Sequence, residues 1–239
     1  MENTGYIALS LQSALKQQMN VVANNLANMN STAYKGEKVL FAEHLIQTED
    51  SKLVTLVQDL AVVRDLQQGP ITASHNDLDL AIRGDGYFTV EAAAGERYTR
   101  RGAFTLNEQG QIVTLEGNPL LNAGGTPITI PSDARSIAIA RDGTVSTEQG
   151  EIGRINLVRF EDEHLLTKIG DGLLDAGEAD PEPVEDPEII QGMLEGSNVH
   201  GVAEMTLMID TVRSYQMAGR LAQSEDERQR KAIELLLSA

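Results

Sequence analysis

The side chains in this chain best supplied for chemistry are carboxylates. Twelve acidic residues fall between Glu161 and Glu195 against a single cation, Lys168, a formal charge of −11 for that stretch. A glycosidase needs two carboxyl groups at a set separation in space, and this composition leaves such a pair available, so a hydrolase of peptidoglycan is one reading. No aromatic or apolar sugar-binding cluster accompanies the acids, and like-charged runs usually face water. The run lacks the Asp-x-Asp-x-Asp-Gly spacing of a calcium loop. His44, His75, His164 and His200 stand far apart, and none falls at a zinc spacing. There is no Cys, hence no thiolate ligand, Cys nucleophile or disulfide. Gly84-Asp85-Gly86 lacks the third glycine and the strand-to-helix setting of a dinucleotide loop and reads as a turn. No Gly-x-Ser-x-Gly elbow is present. The sequence therefore assigns no catalytic residue, no cofactor and no metal ligand.

Charge and hydropathy narrow the partners. A net charge of −17 opposes nucleic-acid binding, which depends on neutralising phosphates with Lys and Arg, and it disfavours anionic lipid. No stretch approaches the about 20 apolar residues of a membrane span. The opening residues lack a basic start, an apolar block and a cleavage site, so no cleaved secretory signal is expected. Taken alone, these features point to the cytoplasm.

Any function must then lie in how the elements present themselves. After the break Gln68-Gly69-Pro70, alternating runs surround a series of turn signals. Leu78 to Arg83 and Tyr87 to Glu91 flank Gly84-Asp85-Gly86 and predict a β-hairpin. Short strands follow at Glu96 to Arg100, Phe104 to Leu106, Gln111 to Thr114, Ile128 to Ile130, Ile137 to Ala140 and Ile155 to Phe160. Turns every eight to twelve residues describe an antiparallel sandwich or barrel-like domain. Pro181, Pro183 and Pro187 make residues 178–188 extended. Residues 34–53 show no single pattern. Residues 53–66 fit either a helical stripe or a β-branched strand.

The two ends read differently. Ala8, Gln12, Leu15, Met19, Val22, Leu26 and Met29 alternate steps of four and three, the seam of an amphipathic helix. Gly201, Met205, Met208, Val212, Tyr215, Gly219, Ala222, Asp226, Gln229, Ile233 and Leu236 keep the same alternation, which argues for a coiled coil. Asn24, Asn25, Asn28 and Asn30 crowd the end of the first helix. Asn is a poor interior helix former. Two readings stay open: amides that set register against a neighbour, as a seam Asn does in coiled coils, or a helix end with solvated amides. A soluble trimeric coiled-coil binding module would also fit the heptads.

The run Ala23-Asn24-Asn25-Leu26-Ala27-Asn28-Met29-Asn30-Ser31-Thr32-Ala33-Tyr34-Lys35 resembles the N-terminal signature of flagellar rod and hook axial proteins. Asp77-Leu78-Asp79-Leu80-Ala81-Ile82, Gly84-Asp85-Gly86-Tyr87-Phe88 and Tyr98-Thr99-Arg100 with Gly102, Phe104 and Leu106 resemble the β domain of that family, although Arg83 stands where a small or acidic residue is usual. The tail from Gly196-Ser197-Asn198-Val199 through Met205, Met208, Arg213 and Tyr215 is also similar. The opening Met1 to Ser10 looks most like a proximal-rod member, and the β domain leaves no room for the outer domains of hook proteins.

The resemblance implies a structural subunit of the proximal rod, a helical tube that transmits torque and contains the export channel. It implies export by the flagellar type III apparatus and residence in the periplasmic rod of the basal body. The implied partners are copies of itself, other proximal rod proteins, the distal rod protein and the surrounding ring proteins. It also tips residues 53–66 toward an extended connector.

The expected fold class is α+β, with paired, coiled-coil-like N- and C-terminal helices and an inserted antiparallel β-rich domain. The expected divisions are 1–35 axial helix, 36–75 extended connector, 76–177 β domain, 178–196 acidic return connector and 197–239 axial helix. Subunit assembly is assigned to Leu15, Met19, Val22, Asn24, Asn25, Leu26 and Asn28 at one end. At the other it is assigned to Met205, Met208, Val212, Tyr215, Ile233 and Leu236.

Overall fold

A computed structural model of the chain describes residues 3–47 and 53–237. It divides into two compact units: Met1–Met29, Gly36–Asp65 and Val199–Ala239 form the first, Asn30–Lys35 and Leu66–Asn198 the second.

The first unit holds α1 (Asn3–Ala27), the strands β1 (Glu37–Gln47) and β2 (Leu53–Arg64), and α2 (Gly201–Leu237). α1 is rich in Ala, Leu, Gln and Met, which lose little freedom in a helix. It buries small or β-branched side chains, Ala8, Ala14, Val21 and Val22. A Cβ added to Gly219 would lie 2.9 Å from Gln12 Nε2, and one on Gly201 would lie 2.8 Å from the Met29 sulfur. The helices therefore touch and run antiparallel. With equal rise along both, Asn3 falls opposite roughly residue 228, and the rest of α2 continues past it.

β1 and β2 form an isolated antiparallel ribbon, from Glu37 opposite Arg64 to Gln47 opposite Leu53, with a bulge between Leu40 and Phe41. Of the two patterns open for residues 53–66, the chain takes the strand. A two-stranded ribbon is marginal alone; this one is covered by α1. Its base is closed by the Asp65 N–H donating to Gly36 O at 2.7 Å and by Lys38 Nζ against Asp65 at 2.8 Å.

The coiled-coil-like fold class is corrected by this arrangement. The chain has one N-terminal helix and one C-terminal helix around a large antiparallel β-rich middle, and coiled-coil pairing of the helices is not what it shows. The least exposed line of α2 runs through half-buried Glu204, Met208, Tyr215 and Ala222 and buried Thr211, Ala218 and Glu225, one residue ahead of the expected frame at every other position. Those displaced positions are small or polar, where a self-sufficient coiled coil needs apolar knobs. The expected seam residues Met205, Ile233 and Leu236 are exposed. α1 meanwhile divides its contacts between α2 and the ribbon.

In the second unit β3 (Ile71–Ala73), β4 (Leu80–Arg83), β5 (Tyr87–Ala92) and β6 (Gly95–Thr99) are followed by further short strands. A six-stranded sheet runs in the order Thr167–Gly170, Leu173–Asp175, β6, β5, Leu157–Arg159, Glu182–Pro183. Alternate residues of β5 enter different cores. Phe88 and Val90 join Leu80, Ile82, Phe104, Ile112, Leu120 and Ile128, with Phe88 and Phe104 edge to face at 5.3 Å. Tyr87 joins Tyr98, Val158, Phe160, Leu166 and Leu174. Few aromatics suffice because the aliphatic side chains fill the larger core. The expected return connector, 178–196, contributes three strands: Glu182–Pro183 at the sheet edge, where Pro is tolerated, Glu188–Gln191 paired with β4, and Met193–Glu195 paired with β3.

The expected hairpin about Gly84-Asp85-Gly86 is not formed. Gly84 and Gly86 do turn the chain, with φ of 84° and 135°. However, β4 pairs with Glu188–Gln191, while β5 pairs with β6 and Leu157–Arg159. The Arg100 guanidinium takes the carbonyls that a facing strand would use, donating to Gly86 O at 2.5 Å, to Gly84 O and to Ile82 O at 3.4 Å.

Close backbone approach fixes Gly102. Leu80 N–H donates to Gly102 O at 2.8 Å, and a Cβ on Gly102 would sit 1.6 Å from Leu80 O. Gly102→Ala should therefore destabilise at or beyond the top of the about 1–3 kcal/mol range of overpacking. Gly153→Ala, whose new carbon meets only Asn122 at 3.8 Å, should be near neutral. Urea midpoints of the two variants compare them directly.

Candidate assembly surface

α2 presents two faces. One is the line of largely small and polar side chains that meets α1. The other carries Val202, Met205 and Ile209, then Met217 and Leu221, all exposed, with Val202 at 77%. Beyond the level of Asn3 the helix continues through Ile233, Leu235, Leu236 and Leu237, with Leu236 at 80% exposure. A globular surface helix keeps its outer face polar. An apolar outer face on this scale marks a contact surface.

The residues assigned to assembly do not form one seam. Val22 and Asn25 are buried, Leu15, Met19, Leu26, Asn28, Met208, Val212 and Tyr215 are half-buried, and Asn24, Met205, Ile233 and Leu236 are exposed. The asparagines split between two tasks. Asn28 Nδ2 donates to Asn24 O at 2.9 Å and to Asn24 Oδ1 at 3.0 Å, satisfying the helix end locally. Asn25, 2% exposed, turns to the ribbon instead. Its Nδ2 donates to Glu37 O at 2.8 Å and its Oδ1 accepts from Glu37 N at 2.9 Å. One side-chain amide thus bonds both backbone groups of the first ribbon residue, as a neighbouring strand would.

A second cluster lies inside the β unit and was not legible as a cluster in the sequence. Glu195, 1% exposed, accepts from Lys35 Nζ at 2.7 Å, Arg100 Nε at 2.9 Å, Gly69 N at 3.1 Å and Gln68 Nε2 at 3.4 Å. Burial pushes its carboxyl up. The charge and hydrogen bonds of Arg100, followed by those of Lys35, outweigh that and hold it below the usual carboxylate range. Each of the three ionic partners sits in a stretch that reads as something else, namely helix signature, strand or acidic connector. The signal available was position along the chain: Lys35 closes one quoted motif, Arg100 closes the run Tyr98-Thr99-Arg100, and Glu195 immediately precedes Gly196-Ser197-Asn198-Val199.

A helix with an exposed apolar face, carried with a separate β unit, has the build of a structural subunit. Three family models match the chain. They are "Flagella basal body rod protein" over residues 6–35, "Flagellar hook protein FlgE/F/G D1 domain" over 81–147 and "Flagellar basal body rod FlgEFG protein C-terminal" over 190–235. The chain is 41% identical to the "Flagellar basal-body rod protein FlgF" of Caulobacter vibrioides, covering 99% of this chain and 98% of that protein. It is 33% identical to the protein of the same name in Rhizobium meliloti, over 99% and 98%. The "Flagellar basal-body rod protein FlgG" of Agrobacterium fabrum is 34% identical, over 92% and 94%.

The chain belongs to the flagellar basal-body rod protein family. It is a structural subunit of the flagellar rod, located in the basal body and assembling there with other rod proteins. The family is not enzymatic, which sets aside the hydrolase reading.

Asn25→Leu removes both bonds to Glu37 and should cost about 1–3 kcal/mol, the range for leaving buried polar groups without a partner. Helical content should stay unchanged while amides of β1 exchange faster; circular dichroism and hydrogen exchange read the two effects separately. The pH dependence of Glu195 has a definite sign. A carboxyl whose folded pKa is depressed contributes fully above its unfolded value, about 4.3, and the contribution is lost as pH falls through the folded value. Wild-type protein should therefore lose more stability than Glu195→Gln as the pH drops below that point, as read by urea midpoints.

Proposed function

We propose that this chain is a subunit of the proximal rod. It assembles through the outer faces of α1 and α2 with copies of itself and with the other proximal and distal rod proteins, into a helical tube that carries torque and encloses the export channel. It reaches the periplasm through the flagellar type III export apparatus and lies within the surrounding ring proteins. The observation that carries this reading is the apolar outer face of α2, which is exposed among the described residues. Open-ended growth follows when the contacts joining subunits are heterologous. The matches that span nearly the whole chain to basal-body rod proteins support the rod, and the resemblance of Met1 to Ser10 to a proximal-rod member supports the proximal position.

Ile209→Asp and Met217→Asp test it. Both positions are exposed in the single chain, so monomer stability should change by no more than about 0.5 kcal/mol, as for ordinary surface substitutions. In a strain lacking the native copy, either variant should abolish swimming and halt flagella at the rod. Normal motility with both would overturn the assignment of that face to assembly.

A further inference from the structure

The chain enters or leaves the β unit at four points: after Met29, after Lys35, after Asp65 and after Asn198. The three stretches just inside those points are tied together. Ala33 N–H donates to Glu195 O at 2.8 Å, and Asn198 N–H donates to Tyr34 O at 3.2 Å. Gly196 N–H donates to Pro70 O at 2.8 Å. Gln67 O accepts from both Lys35 Nζ at 2.8 Å and Asn198 Nδ2 at 2.9 Å.

At the middle of these bonds sits the Glu195 carboxylate, which reaches Lys35 on the first stretch and Gln68 and Gly69 on the second. Through Arg100 it also reaches the carbonyls of the Gly84-Asp85-Gly86 turn. Packing leaves no slack, since a Cβ on Gly69 would lie 2.1 Å from Gly196 O.

We propose that Glu195, with Lys35 and Arg100, is a positioning cluster that binds the chain passages of the β unit into one bundle, so that force arriving along any of them is shared by all. The physical reason lies in how strands yield. A strand pulled alone from a sheet edge opens one bond at a time. Stretches cross-bonded to each other and to the turn behind them must break together. Residues 188–195 would be the exposed case, because Glu188–Gln191 and Met193–Glu195 each pair with a single short strand. A buried carboxylate suits the task because its charged partners cannot be exchanged for water without leaving ions unpaired. The inference concerns this chain's own mechanics and does not depend on its place in the rod.

Single-molecule pulling on the purified full chain tests it. The chain has no native Cys, so handles at Glu108→Cys in the β unit and Ser224→Cys on α2 send the force through the passage at Asn198. With Glu195 in place, the β unit should open in one step. Glu195→Gln should add an earlier step at lower force, releasing residues 188–198, about 35 Å of extended chain. An unchanged single step would overturn the proposal, and so would a lower force with no added step, which reports general destabilisation only. If Glu195→Gln does not fold, Lys35→Met leaves the Arg100 partner in place and should show the same early step at an intermediate force; its absence would count equally against the bundle.

Discussion

Taking a carboxylate out of water costs several kcal/mol unless charged and hydrogen-bonded partners replace the solvent. Glu195 meets that condition with partners from stretches more than ninety residues away in sequence, Lys35 and Arg100. The requirement works in both directions. The acid is tolerable only where those stretches converge, and the stretches converge around the acid. Arg100 extends the same constraint to the Gly84-Asp85-Gly86 turn, where the chain changes sheets instead of folding back on itself.

The first unit solves a different problem. α1 has good helix formers and small buried side chains, and it contacts α2 on one side and the ribbon on another. α2 meets α1 through a line that includes Glu204, Thr211 and Glu225, while Val202, Met205, Ile209, Met217 and Leu221 face outward. An isolated soluble protein would gain from the reverse distribution. Under the proposed rod assembly the distribution makes sense, because neighbouring subunits would cover the outward apolar side chains.

Local pattern carried much of this into the sequence. The helical periodicity of both ends was legible, as were the turn signals and most short strands of the β region, because these features depend on near neighbours in the chain. What was not legible depends on distant ones. The seam of α2 was placed one residue late at alternate positions, since Met205 and Val212 look like better knobs than Glu204 and Thr211; the face that touches α1 is the less apolar of the two. The hairpin at Gly84 gave way to a distant partner: β4 pairs with Glu188–Gln191, and Arg100, sixteen residues on, bonds the Gly84 carbonyl. The Asn cluster left two readings open, register amides or a helix end: Asn28 bonds Asn24 at the helix end, while the partner of Asn25 is backbone and carries no side-chain signature.

That last point bears on which substitutions the fold can accept over time. Asn25 holds Glu37 through its main-chain N–H and C=O, so this one contact asks of position 37 only that it keep its N–H, which a proline would lack. Of position 25 it asks more: an aspartate there offers acceptors but no donor, and a glutamine carries the amide one methylene too far. The two ends of the contact thus bear unequal demands, a backbone on one side and a side chain of set length and polarity on the other.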